Sequence, residues 1–297
     1  MLFQRLTIIL GHLPVTYRAP LSAHTSLKAA QRTFATTPTW RTMRVVPVPN
    51  QADNYAYLLI DETTKKAAVL DPYDVGKVKR YAQKEGVELV SALTTHHHHD
   101  HSGGNLEFAL EHPGITVVGG SNAVPALTKK VGDGDVFTVG EDISVKCLAT
   151  PCHTQDSICY YATSKSKPEQ PGLVFTGDTL FQAGCGRFFE GNAEEMHKAL
   201  SYLGTLPDNT IVYNGHEYTN SSMKFGKHVD PENPAFQKLD HLVKTEEQTC
   251  GKSTIGDEKS WNVFMRLTSS AVQKATGESD EVAAMKKLRD LKNSFRG

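Results

Sequence analysis

The chain has 297 residues and a formal net charge of −1, with 39% hydrophobic and 22% charged residues. That profile belongs to globular proteins and excludes a disordered chain, a collagen-like repeat and a polyelectrolyte. Near-neutral charge removes any whole-protein attraction to nucleic acid, so an anionic ligand has to be bound locally. The cysteines Cys147, Cys152, Cys159, Cys185 and Cys250 are odd in number and form no C-x-x-C pair, which argues against a disulfide framework and against a cysteine-only zinc site.

The first segment differs in composition from the rest. Residues 1–52 hold no Asp or Glu, while Arg5, Arg18, Lys28, Arg32, Arg41 and Arg44 are basic and Ser and Thr are frequent. The apolar run 6–10 is far shorter than the ~18 residues of a spanning helix, so no transmembrane segment and no membrane partner are expected. Acid-free, arginine-rich and hydroxyl-rich sequence reads as a mitochondrial transit peptide over 1–42, directing the chain to the matrix. An internal start at Met43 would delete that segment and leave a cytosolic form.

Beyond it, hydrophobic runs predict strands at 44–48, 55–60, 67–70, 89–94, 115–118, 136–139, 143–149, 158–161, 173–176 and 210–213. Helical spacing predicts helices at 75–85, 105–111 and 193–203, and the charged, proline-bearing stretch 164–172 reads as a surface loop. Strands interleaved with helices imply an α+β fold in which helices cover sheets. After Tyr218 the strand pattern stops, and 236–248 and 280–295 read as amphipathic helices. In the second, Val282, Met285, Leu288, Leu291 and Phe295 make one apolar stripe, with Ser279 as the expected N-cap. The expected division is a domain over 43–216 and a helical domain over 217–297.

The strongest chemical signal is TTHHHHDH at 94–101, directly after an apolar strand. His96 and His98 sit two apart, so in extended chain both imidazoles project to one side and can share a cation. Asp100 and His101 follow where Ser102, Gly103 and Gly104 turn the chain, and can face a second cation. Three further short apolar runs end in a ligand-type residue: His153 in TPCHT, Asp178 in TGDT and His216 in NGHEY. Loops after strand ends are where rigid sheets hold functional groups. Asp178 can offer one oxygen to each of two cations, as two-metal hydrolytic sites at ~3.5–4 Å require. Alone, His153 or His216 would read as a core histidine; beside the first motif they read as ligands.

THHHHDHSGGN (95–105), TPCHT (150–154), FTGDTLFQAGCGRFFEG (175–191) and NGHEYT (214–219) together resemble the glyoxalase II (hydroxyacylglutathione hydrolase) family of the metallo-β-lactamase superfamily. The resemblance runs from about Met43 to Phe295. It implies a four-layer αβ/βα sandwich with a C-terminal helical domain. It also implies a binuclear site holding two divalent metal ions, zinc foremost, with iron or manganese as alternatives. One ion takes His96, His98 and His153, the other Asp100, His101 and His216, and Asp178 bridges them together with a water or hydroxide. The implied reaction is hydrolysis of S-D-lactoylglutathione, or another S-2-hydroxyacylglutathione, to the 2-hydroxy acid and glutathione, the last step of methylglyoxal detoxification. Asp100 is expected to orient the hydroxide for attack. Thiolate, with a thiol pKa of only ~8.5, leaves without an acid.

By family position, Arg187, Phe189, Tyr218, Arg289 and Lys292 hold the glutathione part. Phe189 departs from the family, which often has Tyr there; the aromatic wall stays but a phenolic hydrogen bond of ~0.5–1.5 kcal/mol is lost. A monomer is expected, with no nucleic-acid partner. The alternatives are a mononuclear iron glutathione persulfide dioxygenase of the same superfamily, whose close relatives lack the long helical C-terminus, and a metal-binding protein that has lost catalysis. All seven ligand positions being filled argues against the second.

Overall fold

The computed structural model describes residues 41–297. The leader expected over 1–42 falls almost wholly outside them. Thr42 is described and buried, its hydroxyl 2.7 Å from Ser164 and its N–H donating to Gln170.

The first sheet is built by β1 (Met43–Asn50), β2 (Asn54–Asp61), β3 (Lys66–Leu70), β4 (Glu88–Leu93), β5 (Thr116–Gly119) and β6 (Lys129–Lys130), in that spatial order. Its first three strands are antiparallel neighbours, and β3 to β6 run parallel. α1 (Val75–Glu85), α2 (His99–Ser102) and α3 (Asn105–Glu111) lie in its crossovers. The second sheet takes β7 (Val136–Val139), β8 (Ile143–Ala149), β9 (Ile158–Ser164) and β10 (Leu173–Gly177). A short hairpin of β11 (Leu180–Phe181) and β12 (Gly184–Cys185) follows, then α4 (Ala193–Leu203), β13 (Ile211–Asn214), α5 (Thr219–Val229), α6 (Phe236–Thr245), β14 (Ser253–Thr254), α7 (Ile255–Trp261), α8 (Ser270–Thr276) and α9 (Glu281–Ser294). The order across this sheet is β14-β13-β10-β9-β8-β7.

Period-2 alternation explains why the sheets stack between helices. On β2, Tyr55, Tyr57 and Leu59 face the second sheet, where they meet Tyr160, Leu173 and Phe175. Ala56, Leu58 and Ile60 point the other way, onto Val75 and Val78 of α1 and Phe108 of α3. On β10, Phe175 joins the core between the sheets, while Val174 packs with Met196 and Leu200 of α4 and with Phe225 of α5. Three apolar cores therefore separate four layers, the αβ/βα order. Met285 and Leu288 of α9 belong to the same outer core as α4, so the C-terminal helices pack directly on the second sheet.

Several expected boundaries shift for identifiable reasons. α9 is capped by Asp280, whose carboxylate accepts from the Ala283 N–H, so the cap lies one residue beyond Ser279. α6 stops at Thr245 because Glu246 is already extended. The helices α5, α7 and α8 lie outside the helices expected from the sequence; the buried face of α5 mixes polar and apolar residues and is held by tertiary packing, with Gly226 close against the Phe236 ring. Among the described residues no helix is long and apolar enough to cross a membrane.

Candidate metal centre and its cleft

The candidate ligands converge where strands of both sheets end. Thr94 follows β4 and is pinned by its N–H to Val118 and by the Tyr160 hydroxyl on its carbonyl. The chain then turns sharply, and His96, His98 and His153 bring ring nitrogens together: His98 Nδ1 lies 3.2 Å from His96 Nε2 and 3.0 Å from His153 Nε2. His101 Nε2 and His216 Nε2 are 3.3 Å apart, and Asp100 Oδ2 is 3.4 Å from His216 Nε2. Asp178, at the end of β10, reaches both groups: Oδ1 is 3.3 Å from His101, and Oδ2 is 3.3 Å from His216 and 3.5 Å from His153. In each set of three the ligand atoms lie within 4.8 Å of one another. All seven residues read from the sequence as candidate ligands are thus brought together.

The donor set fits divalent cations. Ligands on a tetrahedral ion with bonds of ~2.0–2.1 Å stand roughly 3.3 Å from one another, the spacing seen here. Asp178 Oδ1 is buried and accepts no hydrogen bond from the protein, an orphan that a cation would satisfy. Burial holds His96, His98 and His153 below the ordinary histidine range, so their rings are neutral donors. On the other side burial opposes charge on His101 and His216, but the carboxylates win. Asp178 and Asp71 drive His101 well up, and Asp100 and Asp178 lift His216 to about 10. Burial would also raise Asp178, yet His101 and His216 hold it far below the usual carboxylate range. The site thus demands positive charge, and a cation taken up by the Nε2 atoms would release those protons.

Outer partners fix the rings. The Nδ1 of His101 faces Asp71 at 2.9 Å, that of His216 faces Asp53 at 3.0 Å, and that of His153 faces the Arg187 carbonyl at 2.9 Å. Each turns its Nε2 lone pair inward. Asn54 donates to Asp100 Oδ2 at 2.9 Å. Sequence reasoning singles out none of Asp53, Asn54 and Asp71. Asp71 carries a usable signal, since it ends an apolar strand as the ligand-bearing loops do; Asp53 and Asn54 sit in an ordinary hairpin turn. Crowding makes two glycines obligatory: a Cβ on Gly186 would stand 1.9 Å from the Asp178 carbonyl oxygen, and one on Gly215 would stand 2.4 Å from Asp178 Oδ1.

Beside Asp178 and His153 opens a cleft of about 420 Å³ walled by Arg187, Phe189, Tyr218, Arg289, Lys292 and Arg296. All five residues expected to hold substrate therefore line one cavity, and Asp178 is the sole acid among its lining residues. Tyr218 stacks on the His216 ring at 4.7 Å and 9°. Phe189 is 60% exposed and turns its ring toward His98 and His153. Arg289 is not a solvated surface residue: at 8% exposure its guanidinium donates to the Cys185 carbonyl and to Asn293. Lys292 donates to the Ser221 carbonyl at 2.8 Å, and burial together with the Arg289 charge pushes its ammonium down to about 8. Cys185 is buried in the same wall, its thiol pushed up to about 11 by burial.

The model of the metallo-beta-lactamase superfamily matches residues 52–216, and the model described as hydroxyacylglutathione hydrolase C-terminus matches 217–295. A Schizosaccharomyces pombe protein named probable hydroxyacylglutathione hydrolase glo2 is 49% identical over 247 residues, spanning 82% of this chain and 94% of its own. The cytoplasmic hydroxyacylglutathione hydrolase of Arabidopsis thaliana is 43% identical, over 86% of this chain and 100% of its own. Among solved structures, a metallo-beta-lactamase from Staphylococcus aureus superposes with a TM-score of 0.60 at 24% identity, covering 83% of this chain and 66% of that one, a likeness of fold. By motif, centre and whole-length kinship, the chain belongs to the hydroxyacylglutathione hydrolase (glyoxalase II) family of the metallo-β-lactamase superfamily.

Proposed function

We propose that the chain is a thioesterase that hydrolyses S-2-hydroxyacylglutathiones, S-D-lactoylglutathione foremost, to the 2-hydroxy acid and glutathione. The observation that carries this reading is the junction of a seven-ligand centre with a cleft whose walls are cationic and aromatic. His96, His98 and His153 would hold one ion, Asp100, His101 and His216 the other, with Asp178 between them and zinc the first candidate. Two bound cations supply a water acidic enough to ionise near neutral pH and a Lewis acid for the carbonyl oxygen.

The chain's own groups do the rest. Asp100, held by Asn54, accepts a hydrogen bond from the attacking water and aims its lone pair at the acyl carbon. The water, its proton already lost to solvent, adds to the acyl carbon; the tetrahedral adduct then collapses with cleavage of the C–S bond, and the glutathione thiolate departs unaided. Arg187, Arg289 and Lys292 bind the carboxylates of the tripeptide as charge-assisted donors. Tyr218 and Phe189 flank the entry to the metal ligands. Residues 43–216 thus carry the chemistry and 217–297 most of the recognition. The basic, acid-free leader supports import into the mitochondrial matrix, and a monomer suffices, since one chain supplies every group named.

Purified full-length protein is expected to hydrolyse S-D-lactoylglutathione, followed by loss of thioester absorbance, with close to two metal ions per chain on the same sample. Absence of thioester loss, with one iron and oxygen uptake on glutathione persulfide, would overturn the reading. Lys292→Ala should raise KM about 10-fold with little change in kcat, the signature of lost uniform binding. In the wild type Lys292 is charged below about 8, so KM should climb as pH rises through that value. The Ala variant should lack that climb; an unchanged KM in it removes the binding role.

A further inference from the structure

The hairpin β11–β12 is too small to hold itself. It pairs Leu180 with Cys185 and Phe181 with Gly184, nothing more, and two-stranded hairpins are marginal in water even when longer. Its turn also places Ala183 at a φ of 58°, in the left-handed region that alanine rarely adopts. Yet the residues just after the turn must be placed tightly. The Cys185 carbonyl receives Arg289, Gly186 lies against Asp178, and the Arg187 carbonyl fixes the His153 ring while its side chain lines the cleft.

The turn is fastened from the C-terminal region. Glu258 of α7, fully buried, accepts the Ala183 N–H at 2.8 Å and the Asn262 amide at 3.1 Å on one carboxyl oxygen. That Asn262 amide also donates to the Gly184 carbonyl at 3.0 Å and the Phe181 carbonyl at 3.3 Å. A buried acid is a costly choice for a helix that only needs packing, because desolvation disfavours its charge. Its donors, Ala183 and Asn262, tie it directly to the hairpin.

We infer that Glu258, acting with Asn262, is a positioning residue for the reaction: it locks the 181–184 turn so that Arg187, Arg289 and His153 meet the substrate and the centre in register. This rests on the thioesterase reading for its kinetic consequence but not for its structural one. Replacing Glu258 with Ala leaves the Ala183 N–H unpaired inside the protein and removes one of the three acceptors that hold the Asn262 amide, whereas Gln keeps one oxygen to accept both.

The test compares Glu258→Ala, Glu258→Gln and Asn262→Ala with Thr254→Ala, which removes the N-cap of the same helix and leaves the turn's bonds in place. Two readouts are taken on the full chain: the rate of limited trypsin cleavage after exposed Arg187, and KM against kcat for S-D-lactoylglutathione. Glu258→Ala and Asn262→Ala should speed cleavage after Arg187 roughly 10-fold over other sites and raise KM by a similar factor, more than they lower kcat. Glu258→Gln should return both readouts toward the wild type, and Thr254→Ala should leave both unchanged. Cleavage that rises evenly at all sites, or equally in Thr254→Ala, makes Glu258 a plain core residue and overturns the inference. Should Glu258→Ala fail to fold, Asn262→Ala carries the same comparison. Should the wild type lack thioesterase activity, the cleavage readout still decides the clamp.

Discussion

Asp178→Ala leaves the purified chain without its pair of metal ions and without measurable thioester hydrolysis. Asp178 alone among the candidate ligands presses one oxygen toward His101 and the other toward His153 and His216. Removing it takes a negative charge from between two sites that both need it, leaving neutral histidines on one side. Without the cations a water returns from a pKa near ~7 to ~15.7, so turnover falls by several orders of magnitude. The fold should survive, because the apolar cores on either side of β10 do not include this side chain. Elemental analysis and circular dichroism on one preparation check both halves; a folded variant that keeps two ions and its activity would remove Asp178 from the bridging role.

Asp71→Asn should lower metal affinity or activity by roughly 10–100-fold, the usual size of an outer-partner loss. The Asp71 carboxylate accepts from the Thr95 N–H and hydroxyl, both at 2.7 Å, and faces His101 Nδ1 at 2.9 Å. It therefore sets the turn that launches His96 and the tautomer of His101. An amide offers one acceptor oxygen where three donors converge, and its own NH₂ opposes them. Asp71 has a φ of 50°, a conformation Asn also adopts, so the substitution tests the carboxylate and not the backbone. Loss should be selective for the ion expected at Asp100, His101 and His216, read as about one metal per chain with the other site filled. Equal loss of both ions would mean that Asp71 acts mainly through Thr95.

The candidate ligands are legible in the sequence because their signal is local. A cluster at 96–101 and three strand ends each place chemistry within a few residues of a hydrophobic run. Of these ligands' partners only Asp71, at the end of an apolar run, leaves a comparable trace; Asp53 and His216 stand 163 positions apart and meet only when the chain folds. The alternation of β2 and the runs of β8 to β10 announce buried strands. The hairpin at 180–185 does not, since two-residue strands have no period to read. The short helices after Tyr218 are set by packing on the second sheet rather than by propensity: α5 carries Asn, Ser and Gly along its length, and its buried face mixes Thr219, Ser222 and Gly226 with Met223, Phe225 and Val229. Ser279 and Asp280 are equally good caps by composition; which one serves depends on where α9 meets its neighbours.

An enzyme that releases glutathione turnover after turnover works in the presence of its own product thiol, and Cys185 stands in the wall of the cleft where that thiol is freed. With its sulfur held up to about 11, only roughly one part in ten thousand of Cys185 is thiolate at pH 7, and it is the thiolate that exchanges. The remaining cysteines are buried free thiols, pushed up to between about 11 and about 12 by desolvation. Mixed disulfides with glutathione are thus disfavoured by the same burial that builds the cores.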